Sequence, residues 1–158
     1  MMTNELLEFE IREGTHEDED IVVQFNGALA LESEGIQLNE ARLRAGVRTG
    51  LSGDAGCRYF IARHRGEAIG QLMYTREWSD WRNGFFWWIQ SVYVMPNYRQ
   101  KKVFSRLYRY LNEEARISGN VCGLRLYVEK GNEKAIATYV RMGMHEAHYR
   151  LFETELDG

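Results

Sequence analysis

The sequence predicts an α/β (α+β) fold: a mixed, mostly antiparallel central sheet with helices on both faces, in the order βααβββαβαβ. Three observations carry that expectation. Two β-rich runs, Cys57 to Arg63 and Ala68 to Trp78, flank the turn signal Arg65-Gly66-Glu67 and read as a hairpin. A third run, Phe86 to Val94, is followed by a helical stretch and a further strand, Val121 to Glu129, so one strand pair is parallel. The helical stretch, from about Gln100 to Ser118, sets Val103, Leu107, Tyr110, Leu111 and Glu114 on one 3.6-period face.

The other elements follow in chain order. Phe9-Glu10-Ile11-Arg12 alternates as a short strand. A helix is expected from His16 to Ser33, with Thr15 as N-cap and the acids Glu17 to Asp20 in the first turn, where the helix dipole favours them. Asn39 caps a second helix to about Arg48, and Gly50, Gly53 and Gly56 mark a loop. A turn containing Gly84 precedes the aromatic run, Met95-Pro96-Asn97 ends it, and Gly119-Asn120 stops the long helix. Asn132 opens a short helix to Arg141, Gly143 stops it, and Met144 to Phe152 is expected as a closing strand.

At 158 residues, with no repeat, low-complexity tract or linker, the chain suits a single domain over 1–158, with its core at about 8–153. Apolar residues make up 44% and charged residues 27%, which excludes collagen-like and disordered classes. The net charge of -3 argues against a general nucleic-acid binder. Cys57 and Cys122 form no CxxC pair, and His145 and His148 fall on opposite faces of the expected strand, so no metal site is expected. No apolar run reaches the ~18 residues of a membrane span, and the first residues lack a basic region followed by an apolar core. These features suit a cytoplasmic protein.

Charge is nevertheless unevenly placed. Residues 1–20 hold eight acids and one base, whereas residues 95–111 hold five bases and no acid. The bases Arg99, Lys101 and Lys102 coincide with an expected helix N-terminus, which carries free N–H groups and roughly half a positive charge. Together they form a compact anion site suited to a small polyanion; the alternative is a solvated basic helix start.

Two spaced motifs extend this reading. The first runs Val92, Val94, Pro96, Arg99; the second, about thirty residues on, runs Asn132, Ala135, Tyr139, Gly143. In register and in context they resemble the GNAT superfamily of acetyl-CoA-dependent N-acetyltransferases, over roughly residues 8–153. Two departures stand out: Lys102 replaces the first glycine of the family's pyrophosphate loop, and Phe104 the second glycine or alanine. Glycine lets backbone approach the phosphates closely, while Lys102 adds a charge where the ligand is most negative.

The resemblance implies a GNAT-like fold and a division of labour. Backbone of the central strand at Val92, Tyr93 and Val94 would bind the pantetheine arm of acetyl-CoA, in a gap beside the strand starting at Val121. The loop Arg99, Gln100, Lys101, Lys102, Val103 and Phe104 would hold the pyrophosphate, and Asn132 the cofactor arm. Tyr139 would protonate the leaving thiolate, the alternative being a core aromatic packed beside Ala135. Gln90 stands where some polyamine acetyltransferases carry a glutamate base, and as an amide it would at most hold a water. Glu32, Glu34, Trp78 and Trp81 fall in the regions that recognise the acceptor, and carboxylates beside indoles suit a cationic amine. The expected activity is direct acetyl transfer to a primary amine of a small cationic acceptor. The alternative is a non-catalytic acyl-CoA-binding module of the same fold. Neither nucleic acid nor membrane is an expected partner, and a homodimer through the tryptophans is compatible with the sequence.

Overall fold

The computed structural model describes residues 7–156, which fall into two compact units parting between Tyr127 and Val128. The first unit is a five-stranded sheet with helices on both faces. Its elements are β1 (Glu10–Glu13), α1 (Glu19–Glu34), α2 (Glu40–Ser52), β2 (Cys57–His64), β3 (Glu67–Ser79), β4 (Gly84–Val94), α3 (Val103–Ser118) and β5 (Val121–Leu126). The strands lie in the order β1-β2-β3-β4-β5. All neighbours are antiparallel except β4 and β5, which α3 connects as the expected crossover.

Each face of the sheet owns a core. On one side Val103, Leu107, Leu111 and Ala115 of α3, spaced four apart, pack on Phe60, Leu72, Trp87 and Ile89. On the other, Val22 and Phe25 of α1 and Val47 of α2 pack on Tyr59, Ile61 and Tyr93. The alternation along β2, with Tyr59 and Ile61 on one side and Phe60 and Ala62 on the other, is the period-2 pattern of a strand buried on both faces. Gly70 allows α3 to begin close against the sheet, because a Cβ there would meet the Tyr93 carbonyl at 3.0 Å and Val103 Cγ1 at 3.2 Å.

The first α-helix begins at Glu19 and not at His16, because His16–Asp18 form a 3₁₀ turn ahead of it with Thr15 as that turn's cap. Three other expected boundaries move, each for a local reason. The second helix runs past Arg48 to Ser52, because Gly50 lies inside it. A Cβ on Gly50 would sit 3.0 Å from the Tyr59 ring, so this glycine marks a close helix–strand approach and not a loop. The long helix starts at Val103, since Gln100 and Lys102 take left-handed φ of 63° and 64° that no α-helix can pass through. β5 ends at Leu126, where its pairing with β4 ends.

The second unit contains α4 (Glu133–Arg141). Asn132 caps it as expected, its side-chain oxygen accepting the Ala135 N–H at 3.1 Å. The closing strand expected over 144–152 does not form: these residues enter no ladder, and a β-prone segment without a hydrogen-bonded neighbour is not a strand.

Candidate active site

The site in the first unit is built where the sheet stops being a sheet. β5 pairs with β4 from Phe85–Val121 to Ile89–Leu126 and no further, so from Gln90 onward β4 keeps only β3 as a neighbour. Immediately there, β4 carries an extra residue. Gln71 faces Tyr93 and Met73 faces Gln90, so Leu72 alone stands opposite both Ser91 and Val92. Ser91 sits at φ 51°, in the left-handed region that L-residues seldom adopt. The bulge resets the alternation, sending Val92 and Val94 to the α3 core and Tyr93 to the α1 core.

After β4 comes a single 3₁₀ turn, Pro96–Tyr98, and then the basic loop. Lys102 forms the N-cap of α3 in the left-handed conformation. A glycine takes such a turn at no steric cost, and here a lysine holds it. The first turn of α3 offers N–H groups that have no partner within the helix, flanked by exposed Lys101 and Lys102. A loop of this donor chemistry fits a polyanion.

Arg99 is drawn into a cluster of its own. Its Nε donates to the Val94 carbonyl at 3.0 Å, and its Nη2 donates to both Glu32 oxygens at 3.0 and 3.3 Å. The guanidinium also lies 5.5 Å from the centre of the Tyr93 ring. Hydrogen bonds from Arg99, then from the Tyr93 hydroxyl, hold the Glu32 carboxyl below its ordinary pKa. Burial, reinforced by that carboxylate, pushes the Tyr93 phenol up. The cluster thus ties the last turn of α1 to the end of β4.

The remaining expected residues are placed separately. Gln90 donates from Nε2 to Thr75 Oγ1 at 2.8 Å, on the sheet face shared with Met73. Glu34 is exposed at the end of α1. Trp78 packs edge-on against Phe85, and Trp81 is 94% exposed at the tip of the β3–β4 hairpin, so the structure brings neither to Glu32. Asn132 and Tyr139 share α4 in the second unit. Burial raises the Tyr139 phenol, which keeps it protonated at neutral pH.

Sequence reasoning missed two residues at the bulge. Gln71 is fully buried and donates from Nε2 to the Ser91 carbonyl at 3.0 Å. Its signal was visible: a glutamine inside the apolar run Ala68-Ile69-Gly70-Gln71-Leu72-Met73. Ser91 carried no such signal. Among the described residues there is no cluster of three metal-ligating side chains, and no helix is long and apolar enough to cross a membrane.

The profile of the acetyltransferase (GNAT) family matches residues 20–144, which span both motifs and the boundary between the two units. The chain belongs to that family. It is similar to the aminoalkylphosphonate N-acetyltransferase of Salmonella typhimurium, at 28% identity over 142 residues, or 89% of this chain and 88% of the relative. It is also similar to the crystal structure of a possible acetyltransferase from Clostridium difficile 630, with TM-score 0.89 and 42% identity over 95% of this chain and 99% of that one. A predicted acetyltransferase with acetyl-CoA from Clostridium acetobutylicum shares the fold, with TM-score 0.75 at 18% identity, covering 93% and 96%. The GNAT family chain is an acetyltransferase, and acetyltransferases of this family use acetyl-CoA.

Proposed function

We propose that the protein transfers the acetyl group of acetyl-CoA to a primary amine of a small, cationic acceptor by direct attack, with Tyr139 as general acid. The observation that carries this reading is the parting of β4 from β5 at Gln90, directly before a basic loop that opens α3. The parted strand supplies backbone for an extended pantetheine arm at Val92, Tyr93 and Val94. The loop Arg99 to Phe104 supplies charge and helix N–H groups for a pyrophosphate, and Asn132 holds the arm. When bound, acetyl-CoA brings an activated thioester; the chain's residues hold it and manage protons.

The amine lone pair forms the new C–N bond as the C–S bond breaks, so one proton leaves the nitrogen and one reaches sulfur. A protonated phenol at Tyr139 meets the second need. For the first, Gln90 beside Ser91 orients a water, since an amide accepts hydrogen bonds but no proton. On the acceptor side, the carboxylates Glu32 and Glu34 stand at the end of α1 and the indoles Trp78 and Trp81 at the β3–β4 hairpin, so they would meet a cationic acceptor as separate contacts and not as one cage. The reading takes residues 1–158 as one domain acting in the cytoplasm on a small molecule, with self-association left to be measured.

The test is thiol release from acetyl-CoA across an acceptor panel: polyamines, aminoglycosides, amino acids, peptide N-termini and aminoalkylphosphonates. The last are included because a relative is named for them. Saturable release with one class supports the reading; acetyl-CoA binding without release from any class supports the non-catalytic module instead. Tyr139→Phe should lower kcat by about 10²–10⁴-fold with acetyl-CoA affinity nearly unchanged. Loss of folding in that variant would return Tyr139 to a packing role.

A further inference from the structure

Phe86 is a buried ring that belongs to neither core of the sheet. It is 8% exposed, yet it faces away from Phe85, Trp87 and Ile89, which enter the α3 core, and it takes no part in the packing around α1 and α2. Guanidiniums cover it instead: Arg125 Cζ lies 3.5 Å from the ring centre and Arg82 Cζ 5.3 Å. The two cations therefore stand within about 10 Å of each other, the screening length at 0.1 M salt, and repel. Glu77 answers Arg125, at 3.5 Å from its Nη1, and also accepts the Trp88 indole N–H. Arg82 makes no ion pair among the described residues. Apolar side chains would close this ring without drawing two like charges onto it, so the cluster is arranged for an anion and not for packing alone.

The cluster lies at the closed end of the β4–β5 gap. Arg125 pairs with Trp88, one step before the last pair, Ile89–Leu126. In the acetyl-transfer reading the cofactor arm runs from the basic loop back along Val94 and Val92, so its thioester end arrives at Gln90. The acceptor amine must meet it there, and the rest of the acceptor needs a surface to lie on. The α3 face is filled by the core around Trp87 and Ile89. The opposite face carries Gln90, Trp88 and Phe86 in succession, with Trp88 half-buried and its ring 4.5 Å from that of Tyr127. The two to four residues from Gln90 to Trp88 and Phe86 measure about 7–13 Å of strand.

We infer that Arg125 and Arg82, held on Phe86, bind an acid group of the acceptor, so that the acceptor is a short ω-amino acid with an amine at one end and a carboxylate or phosphonate at the other. The inference rests on the acetyl-transfer reading above; it keeps the cationic amine of that reading and adds the acid group. A guanidinium lying on a ring holds its N–H groups in one plane, the geometry that meets an oxyanion edge-on. The arginines select by charge, and their distance from Gln90 selects by length. An acid anchored there leaves the amine at the gap, where the thioester arrives. Neither arginine exchanges a proton.

The test is thiol release from acetyl-CoA with ω-amino acids from glycine through γ-aminobutyrate to ε-aminocaproate, each against its carboxamide, and with γ-aminopropylphosphonate against its diethyl ester. The neutral partners keep the amine and remove the acid charge. In the wild type kcat/KM should rise beyond glycine, and the longer acids should exceed their neutral partners by about 10–100-fold, the scale of charge-assisted hydrogen bonds. The carboxylate and phosphonate arms show which acid is preferred, and preference for either over its neutral partner supports the inference. In Arg125→Met, whose stem still covers Phe86, the acid-to-neutral ratio should fall close to unity. Arg82→Gln, at the exposed hairpin turn, should lower it several-fold and serves if melting shows that Arg125→Met does not fold. Acids and neutral partners used alike, an amine without an acid group used better than every acid in the series, or a ratio unchanged in both variants overturns the inference. If the wild type turns over no amine, the acetyl-transfer reading fails on its own. Binding of ε-acetamidocaproate, followed by NMR at the arginine Nε–H resonances, then decides the acid site: a saturable shift that Arg82→Gln loses supports it, and no shift in the wild type overturns it.

Discussion

The two halves of β4 are one strand doing opposite things. From Phe85 to Ile89 it has neighbours on both sides, and Phe85, Trp87 and Ile89 enter the α3 core; Trp87 stacks on Tyr74 at 4.1 Å. From Gln90 to Val94 it has one neighbour, an extra residue and a left-handed serine, and it lies against the buried Gln71 amide of β3, whose Oε1 has no partner among the described residues. The first half also hides an unpartnered donor, Trp87 Nε1, but gains a buried ring for it. Strain and unpaired groups collect where the ladder opens, and the basic loop of the candidate site follows directly. The difference teaches that the paired half is scaffold and the parted half is equipment.

The largest effect should come from breaking the scaffold. Trp87→Ala is expected to cost about 3–5 kcal/mol, the usual scale for emptying a buried tryptophan site. Gln90→Ala, whose side chain is half-buried and among the described residues bonded only to Thr75, should cost about 1 kcal/mol or less. Denaturant unfolding of the two variants measures the contrast directly. Equal losses would mean that the parted half is as much core as the paired half.

The scaffold was the more legible half. Aromatic and branched residues run without a break from Phe86 to Ile89, which marks a strand, and a strand's period of 2 then puts Trp87 and Trp88 on opposite faces. The bulge was hidden because a single added residue leaves no compositional trace, and Ser91 differs in no visible way from an ordinary strand serine. Gly50 misled for the opposite reason: glycine signals both loops and tight contacts, and only the Tyr59 ring beside it decides between them. The Arg99 loop was legible from charge, yet the pairing of Arg99 with Glu32 spans residues far apart in the chain, which no local pattern reports. The segment 144–152 was read by β-propensity alone, and propensity without a ladder partner does not make a strand.

Two substitutions separate charge from backbone geometry in the loop that follows the parted half. Arg99→Ala should weaken acetyl-CoA binding by about 1–3 kcal/mol, the scale of a charge-assisted hydrogen bond, with little change in unfolding free energy. Unchanged affinity by calorimetry would remove Arg99 from the anion site and leave it as a tie between β4 and α1. Lys102→Gly should act in two directions at once. Removing the Cβ from a residue at φ 64° relieves strain of about 1 kcal/mol and raises the melting temperature. Removing the ammonium should weaken acetyl-CoA binding. A variant that binds more tightly would show that the lysine obstructs the phosphates.

The smallest effect tests how the parted half is held to α1. Glu32 and Arg99 form an ion pair with about half of each side chain exposed, at 41% and 46%, a class usually worth about 0.2–1 kcal/mol. Hydrogen bonds from Arg99 and Tyr93 lower the Glu32 pKa from its model-compound value of 4.5. A carboxyl depressed in the folded state contributes stability that is fully present above its unfolded pKa and lost as pH falls through the folded one. Glu32→Gln should therefore melt slightly below wild type at pH 6–7 in low salt, and the gap should close on acidification below about pH 4.5. It should also close at about 1 M salt, where the screening length is near 3 Å. The deficit of Trp87→Ala should survive the same salt, because burial and not charge holds the paired half. A Glu32→Gln gap that persists through both acid and salt would mean that the carboxylate acts by packing, and the two halves would then be held by the same force.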